Sequence, residues 1–175
     1  MRCSRRWRGR CGRRWRGWWH NSSTRSLLHI ERLQGDDSVV PDVLCSEKSV
    51  GETEVHASAL YCVHHSNGSI TVRFEWASDY SARDLDESDF LLIPEAETLF
   101  FRTLYQWGVV DIRRGKIVRH EKAMYRPTMT RKGNAVVIED ELQAEATDLD
   151  GKHFHTVPID PPWNAVEFDD RIEYD

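Results

Sequence analysis

Two histidines separated by one residue have the type and spacing that could bind a metal. His153 and His155 lie in a stretch that alternates like a β-strand, and residues two apart on a strand point to the same face. Two imidazoles on one face can ligate one divalent transition metal, and His120 is a candidate for a third ligand. Hydrogen-bonded or solvated histidines near the end of a strand are the commoner case, so metal binding is the lesser expectation.

A β-hairpin over residues 55–76 is the best-supported local structure. Asn67-Gly68 separates two stretches of alternating apolar residues, and this dipeptide suits a two-residue turn in which both φ angles are positive. Such a turn places Tyr61 opposite Phe74 on an apolar, buried face. The other face is charged, which predicts solvent exposure rather than a metal site for its histidines and cysteine (His56, Cys62 and His64).

The sequence contains none of the familiar catalytic motifs. G-x-S-x-G, the Walker A loop, G-x-G-x-x-G and H-E-x-x-H are all missing. The four cysteines include no C-x-x-C pair, which suits a reducing compartment without a disulfide framework. Cys62, predicted to lie beside Arg73, could have a lowered pKa, but no base is placed next to it. An enzyme is therefore the less favoured class.

Residues 77–107 are predicted to form an acidic loop followed by one main helix. Ser and Asp dominate residues 77–89 without the spacing of a calcium loop. Pro94 suits the first turn of a helix over 95–107, Gly108 suits its C-terminal cap, and apolar residues recur between them at helical spacing. A strand over 99–105 is the rival interpretation, because Phe and Tyr favour sheets.

Three further hairpins are predicted between residues 109 and 159. The first turns at Arg113–Gly115 with two possible registers: a three-residue loop pairs Val110 with Val118, and a two-residue loop pairs Ile112 with Ile117. The second turns at 132–134, and Pro127 restricts its first strand to a sheet edge or a bulge.

The third hairpin has a definite register. A turn at Asp150-Gly151 places Ala146 opposite His155, and so puts the two histidines on the face that is apolar further along the strand. Beyond it, alternating apolar residues over 166–174 predict one or two final strands.

Charge is distributed very unevenly along the chain. Residues 1–30 contain nine arginines and no acid, which gives +9. The remaining 15 basic residues (24 − 9) stand against all 29 acidic residues, so residues 31–175 carry −14. Nucleic-acid binding rests on neutralising phosphates, so we do not expect it of this acidic body.

Residues 3–18 repeat an octapeptide of arginine, glycine and tryptophan, and this arm is predicted to be disordered. It is consistent with a gene-model artefact from GC-rich upstream DNA, with a targeting peptide, or with an arm that binds nucleic acid or an anionic membrane. A twin-arginine export signal is disfavoured because no apolar segment follows Arg5-Arg6.

The sequence as a whole predicts a β-rich α+β fold. We expect a short helix over 26–34 in a dispensable segment 1–35, then a single domain over 36–175 with at most one short strand around Val43 before the first hairpin. The domain should be an antiparallel meander that forms a barrel or strongly curved sheet, with the helix over 95–107 packed on it.

Three functions follow from these expectations. The first is a non-enzymatic binding or accessory module, located in the cytoplasm, that takes a protein partner or a small apolar ligand. The second is a metal-dependent β-barrel enzyme that uses His153 and His155. The third is a nucleic-acid or anionic-membrane binder that acts through residues 1–30. No apolar stretch approaches the roughly 18 residues of a membrane helix.

Overall fold

The structure, a computed structural model, describes residues 29–33, 39–47, 55, 57–65, 68–77, 85–159, 165–169 and 172–174. Within this part the chain forms fourteen strands and one 3₁₀ turn at Glu87–Asp89. The strands are β1 (His29–Leu33), β2 (Val43–Ser46), β3 (Ala57–His65), β4 (Gly68–Trp76), β5 (Phe90–Ile93), β6 (Thr98–Arg102), β7 (Gln106–Asp111), β8 (Lys116–Lys122), β9 (Thr128–Lys132), β10 (Ala135–Glu139), β11 (Gln143–Asp148), β12 (His153–Pro158), β13 (Ala165–Glu167) and β14 (Ile172–Tyr174).

Twelve of these strands form three four-stranded sheets. The N-terminal sheet has the order β1-β3-β4-β2, the middle sheet β5-β6-β7-β8 and the C-terminal sheet β12-β11-β10-β9. Strands β13 and β14 pair with each other. All neighbours are antiparallel except β2 and β4, which are parallel. The middle and C-terminal sheets are meanders of consecutive strands, as predicted.

The middle sheet is buried on both faces. Alternate residues along β6 enter two different cores: Leu99 and Phe101 pack with Tyr61 and other residues of the N-terminal sheet, whereas Phe100 packs with Val136 and other residues of the C-terminal sheet. The three sheets therefore stack in layers around two cores. A strand buried on both faces needs apolar residues at nearly every position, which explains the composition of β5 to β7.

The turn between β11 and β12 lies directly on the middle sheet. Gly151 has a φ of +82°, and a Cβ atom at this position would lie 2.8–2.9 Å from three side-chain atoms of Val109. Thr98 Oγ1 donates a hydrogen bond of 2.5 Å to the carbonyl oxygen of Leu149 in the same turn. This close approach requires glycine, because only glycine has no side chain and tolerates a left-handed backbone.

The predicted helix over 95–107 is wrong, and so is the predicted barrel. Pro94–Glu97 form a turn, and the chain continues as β6 and β7; no helix of seven or more residues and no closed barrel occur among the described residues. A strand that is buried on both faces is apolar at nearly every position, so it does not show the alternation of apolar and polar residues that marks a half-buried strand. The same apolar residues therefore also fitted a helical spacing. The rival strand over 99–105 overlaps β6.

The first hairpin has the predicted apolar face but a different register. Tyr61 pairs with Val72 rather than with Phe74, and His65 pairs with Gly68, so the pairing is displaced by two residues. Such a displacement leaves every side chain on its original face. The hydrophobic pattern therefore could not distinguish the two registers, and the turn residues 66 and 67 lie outside the described part.

The segment before this hairpin differs from the prediction as well. Residues 29–33 form β1 instead of the second half of a helix over 26–34, and β1 pairs with β3 although it precedes the boundary expected at residue 36. Tertiary pairing has overridden weak local helix signals here. The single strand expected around Val43 is β2. Residues 1–28 lie outside the described residues.

The later hairpins confirm most of the predicted pairings. Ala146 lies opposite His155, β9 is at a sheet edge as Pro127 indicated, and β13 and β14 are the expected final pair. Neither register proposed for the turn at 113–115 is correct: a bulge in β7–β8 and a four-residue turn pair Val110 with Ile117. Among the described residues, no helix is long and apolar enough to cross a membrane.

Candidate binding groove and the predicted site residues

His153 and His155 lie on opposite faces of the C-terminal sheet. Residues paired across neighbouring strands share a face, and His155 pairs with Ala146 whereas Thr156 pairs with Glu145. His153 Nε2 is 2.8 Å from Thr156 Oγ1 and 4.0 Å from Glu145 Oε1, which places it on the face opposite to His155. A bulge in the β11–β12 pairing inserts one residue, so the shared face that alternation predicted is wrong.

The contacts of His153 do not form a nucleophile relay. In a Ser-His-Asp arrangement the hydroxyl and the carboxylate contact different ring nitrogens, so that the imidazole can pass a proton from one side to the other. Here Thr156 and Glu145 both face Nε2. The side chain of His153 is 46% exposed, so this group is a surface hydrogen bond next to a buried carboxylate.

Glu145 belongs to a polar cluster that links the middle and C-terminal sheets. Its side chain is 8% exposed and is hydrogen-bonded to Arg119 of β8. Arg119 also donates a 2.9 Å hydrogen bond to Glu121 and lies 4.9 Å from the ring centre of Trp107. Partial burial disfavours the charged form of Arg119 and acts to lower its pKa. The hydrogen bonds to Glu121 and Glu145 outweigh this effect, and the pKa of Arg119 is raised. The cluster stabilises the stacking of the sheets.

His120 lies in a different part of the fold from His153. It pairs with Gly108 and faces the core between the N-terminal and middle sheets, where its ring is 6.0 Å from that of Phe101. Its Nε2 is hydrogen-bonded to Oε1 of buried Gln106. Burial lowers the pKa of His120, although the charges of nearby Glu121 and Glu47 act in the opposite direction. His120 is therefore a structural hydrogen-bonding residue that is not brought to the His153 side.

The other candidate ligands are equally dispersed. His64 stacks on His29 with 5.9 Å between ring centres and lies 4.0 Å from Glu31; His56 lies outside the described residues. Cys62 is buried and pairs with Thr71, not with Arg73, so its predicted exposed position is wrong. In the part of the chain that the structure describes, no three His, Cys, Asp or Glu side chains come together as a metal site.

An open groove of about 600 Å³ lies beside the start of β9 and the turn that joins β10 to β11. Its lining consists of Tyr125, Arg126, Thr128, Glu139, Asp140, Glu141 and Leu142. Tyr125 is 47% exposed and Leu142 53% exposed, so each presents much of its apolar surface to solvent. Three carboxylates against one guanidinium give the lining a formal charge of −2 (1 − 3).

One wall of the groove is a turn that its own side chain stabilises. Asp140 Oδ1 accepts hydrogen bonds from the backbone N–H groups of Leu142 (2.9 Å) and Gln143 (3.1 Å). Asp residues form such turns because the short carboxylate reaches the backbone two residues on. The backbone of Glu141 and Leu142 is thus fixed at the tip of the turn, and both side chains are exposed there.

The opposite wall contains a backbone in a rarely populated conformation. Arg126 has a φ of +31°, and its N–H donates a 2.6 Å hydrogen bond to the carbonyl oxygen of Leu104. The Tyr125 ring packs edge-on against Tyr105, 6.3 Å between centres. A non-glycine residue with positive φ is strained, and such strain is concentrated at ligand-binding positions. The surrounding contacts hold Tyr125 and Arg126 in place.

A hydrogen bond connects the two walls of the groove, and the lining is apolar and acidic. Thr128 Oγ1 donates a 2.7 Å hydrogen bond to Glu139 Oε2 and so connects the two walls. Hydroxyl nucleophiles are activated by an imidazole or an amine base, and the lining contains no His, Lys, Ser or Cys. What remains accessible is apolar surface next to negative charge.

The groove was missed in the sequence because its walls are 11–17 residues apart along the chain (139 − 128 to 142 − 125). Glu139-Asp140-Glu141 followed by Leu142, and Tyr125-Arg126 before Pro127, appear as ordinary strand ends. The pairing of Glu139 with Thr128 brings them together. The available signal was a cluster of acidic residues at a turn beside an apolar residue. Only the correct β9–β10 register shows that this cluster faces residues 125–128.

No protein-family model matches this chain, and no curated protein matches it either. The function therefore has to be inferred from the geometry of the chain itself.

Proposed function

We propose that this chain is a non-enzymatic binding module and that the groove between Tyr125 and Leu142 is its ligand site. The observation that carries the proposal is the combination of two half-exposed apolar side chains with an ordered, negatively charged turn. Pockets that bind ligands combine apolar surface with a few fixed polar groups. The groove has this composition and already has its shape in the free chain.

The surroundings of the groove support binding by a preformed surface. Backbone hydrogen bonds to Asp140 fix one wall, and the Thr128–Glu139 hydrogen bond fixes its distance from the other. A site whose side chains are already held loses little conformational entropy when a ligand arrives. An open groove of this kind accommodates a short segment of a protein partner better than it encloses a small molecule.

The two other functions have less support. A metal enzyme that uses His153 and His155 stays a prediction, and it would need ligands from beyond the pair because the two histidines lie on opposite faces. Elemental analysis of the chain beside a His153→Ala variant tests it. Binding of nucleic acid or anionic membrane through residues 1–30 also stays a prediction, since those residues are almost entirely outside the described part.

The experiment that tests the proposal is selection of a random peptide library on the full chain, followed by binding measurements on a groove variant. Tyr125→Ala/Leu142→Ala removes the two exposed apolar side chains. A matched control, Phe154→Ala/Val118→Ala, removes two similarly exposed apolar residues elsewhere. All four side chains are about half exposed, so both variants should stay folded, and urea unfolding of each measures the small loss expected where Tyr125 leaves Tyr105.

Selected peptides should lose at least about tenfold in affinity for the groove variant and keep their affinity for the control variant. Tenfold corresponds to about 1.4 kcal/mol, less than the transfer free energy of one fully buried Leu or Phe side chain. Equal affinity for wild type and the groove variant, or a library from which nothing is retained, would contradict the proposal.

A further inference from the structure

We infer that the ligand of this groove is a segment of a partner protein that presents an arginine or lysine flanked by apolar residues. The inference rests on the proposed function, because it specifies what the Tyr125–Leu142 groove binds. Its basis is charge complementarity: the lining carries three carboxylates and one guanidinium.

The groove offers a cation two favourable contacts at once. Tyr125 is 47% exposed, and an arginine or lysine over the face of a tyrosine ring is attracted by the ring quadrupole. The carboxylate of Glu141 stands at the tip of the turn on the other wall. Exposed Leu142 beside it gives the flanking apolar residue of the ligand a surface on which to pack.

The acidic residues of the groove differ in how far their charges are already used. Glu139 accepts a hydrogen bond from Thr128, and Asp140 accepts two from the backbone of its own turn. Glu141 is exposed, and no hydrogen bond or ion pair engages its carboxylate within the described residues. Glu141 is therefore the position where charge can be removed without loss of structure.

The matched probes are two pentapeptides that differ only in charge. The first is Ac-Ala-Leu-Arg-Leu-Ala-NH2, and the second carries citrulline in place of arginine, which keeps the shape and loses the positive charge. An exposed cation–π contact corresponds to about two- to fivefold in affinity. One unit charge at about 4 Å in water adds up to about fivefold. The full-chain protein should therefore bind the arginine peptide at least about tenfold more tightly than the citrulline peptide.

Charge variants of the protein should act in opposite directions. Glu141→Gln should weaken binding of the arginine peptide by about three- to fivefold, and Arg126→Gln should strengthen it by a similar factor. Tyr125→Leu keeps an apolar side chain but removes the aromatic ring, and it should weaken binding of the arginine peptide about two- to fivefold. The control Asp150→Ser removes the same charge at the other end of β11, about 20 Å away at ~3.3 Å per strand residue, and should change nothing measurable.

Isothermal titration of both peptides into wild type, the three variants, the control and the Tyr125→Ala/Leu142→Ala variant tests the inference. The pattern above supports it. Equal affinities for the two peptides that are lost in Tyr125→Ala/Leu142→Ala overturn the charge inference and leave the proposed function in place. Failure of every peptide to bind in a groove-dependent way overturns both. Equal weakening by Glu141→Gln and Asp150→Ser shows that only net charge matters, and also overturns it.

Discussion

Gly151→Ala should strongly destabilise the chain, because it affects both the backbone of a buried turn and the packing of two sheets. A left-handed backbone costs an L-residue about 1–2 kcal/mol, and Gly151 has a φ of +82°. The new Cβ would lie within 2.9 Å of three atoms of buried Val109, and overpacking of this kind costs about 1–3 kcal/mol. The free energy of unfolding should fall by roughly 2–5 kcal/mol.

Gly133→Ala is the matched control for the packing term. Gly133 also has a positive φ, +56°, but a Cβ there meets nothing within 4 Å, so only the backbone penalty of about 1–2 kcal/mol applies. Urea unfolding followed by tryptophan fluorescence is a suitable assay, since Trp76 and Trp107 are both buried. The difference between the two glycine variants isolates the contact between the turn and the middle sheet.

A double-mutant cycle with Val109→Ala completes the test. Val109→Ala removes the two methyl groups that lie 2.8 and 2.9 Å from the new Cβ but keeps the Val109 Cβ at 2.9 Å, so Gly151→Ala should be less destabilising in that background by about 1 kcal/mol, part of the packing cost. If Gly151→Ala and Gly133→Ala destabilise equally, and Val109→Ala brings no relief, the turn does not lie on the middle sheet and the layered packing deduced here is refuted.

Three further predictions concern the charged groups. Arg119→Met should destabilise the chain by roughly 2–4 kcal/mol in urea unfolding, because it leaves the buried Glu145 carboxylate without its partner, and adding Glu145→Gln should recover at least about half of the loss. His120 has a lowered pKa in the folded chain, so its stabilising contribution is complete above a pH of about 6.5 and is lost as the pH falls below that value. His120→Gln should therefore flatten the decline in the free energy of unfolding below pH 6.5. An unchanged decline would contradict the burial of this ring. Raising NaCl from about 0.1 M to 1 M should weaken the arginine peptide at least about threefold and leave the citrulline peptide unchanged, a difference that titration at both salt concentrations detects.

The local sequence pattern predicted the apolar face of the first hairpin and one later pairing. The alternation over 57–65 and 68–76 identified the apolar face of β3 and β4, and the Asp150-Gly151 turn fixed Ala146 opposite His155. These predictions succeeded because the apolar residues of the buried face recur with a period of two, although the second face of β3 is also buried at Leu60 and Cys62. They could not fix a register that slips by two, since such a slip leaves both faces unchanged.

The central layer could not be predicted in the same way. The sequence from Phe90 to Val110 is apolar at most positions because its strands contribute to two cores, and no local signal shows that a third sheet covers the second face. The bulge at His153 is likewise set by how β12 meets β11. The groove exists only because β9 pairs with β10 in this register. Its residues can be read in the sequence, but the sequence does not show that they lie together.

The most direct test of the central claim is to titrate Ac-Ala-Leu-Arg-Leu-Ala-NH2 into the isotope-labelled full chain and follow the backbone amide resonances. The largest shifts should fall on Tyr125, Arg126, Thr128 and residues 139–142, on both walls of the groove, with residues 150–156 at the far end of the C-terminal sheet unaffected. Shifts confined to another surface, or no saturable shifts at all, would contradict the assignment of this groove as the ligand site.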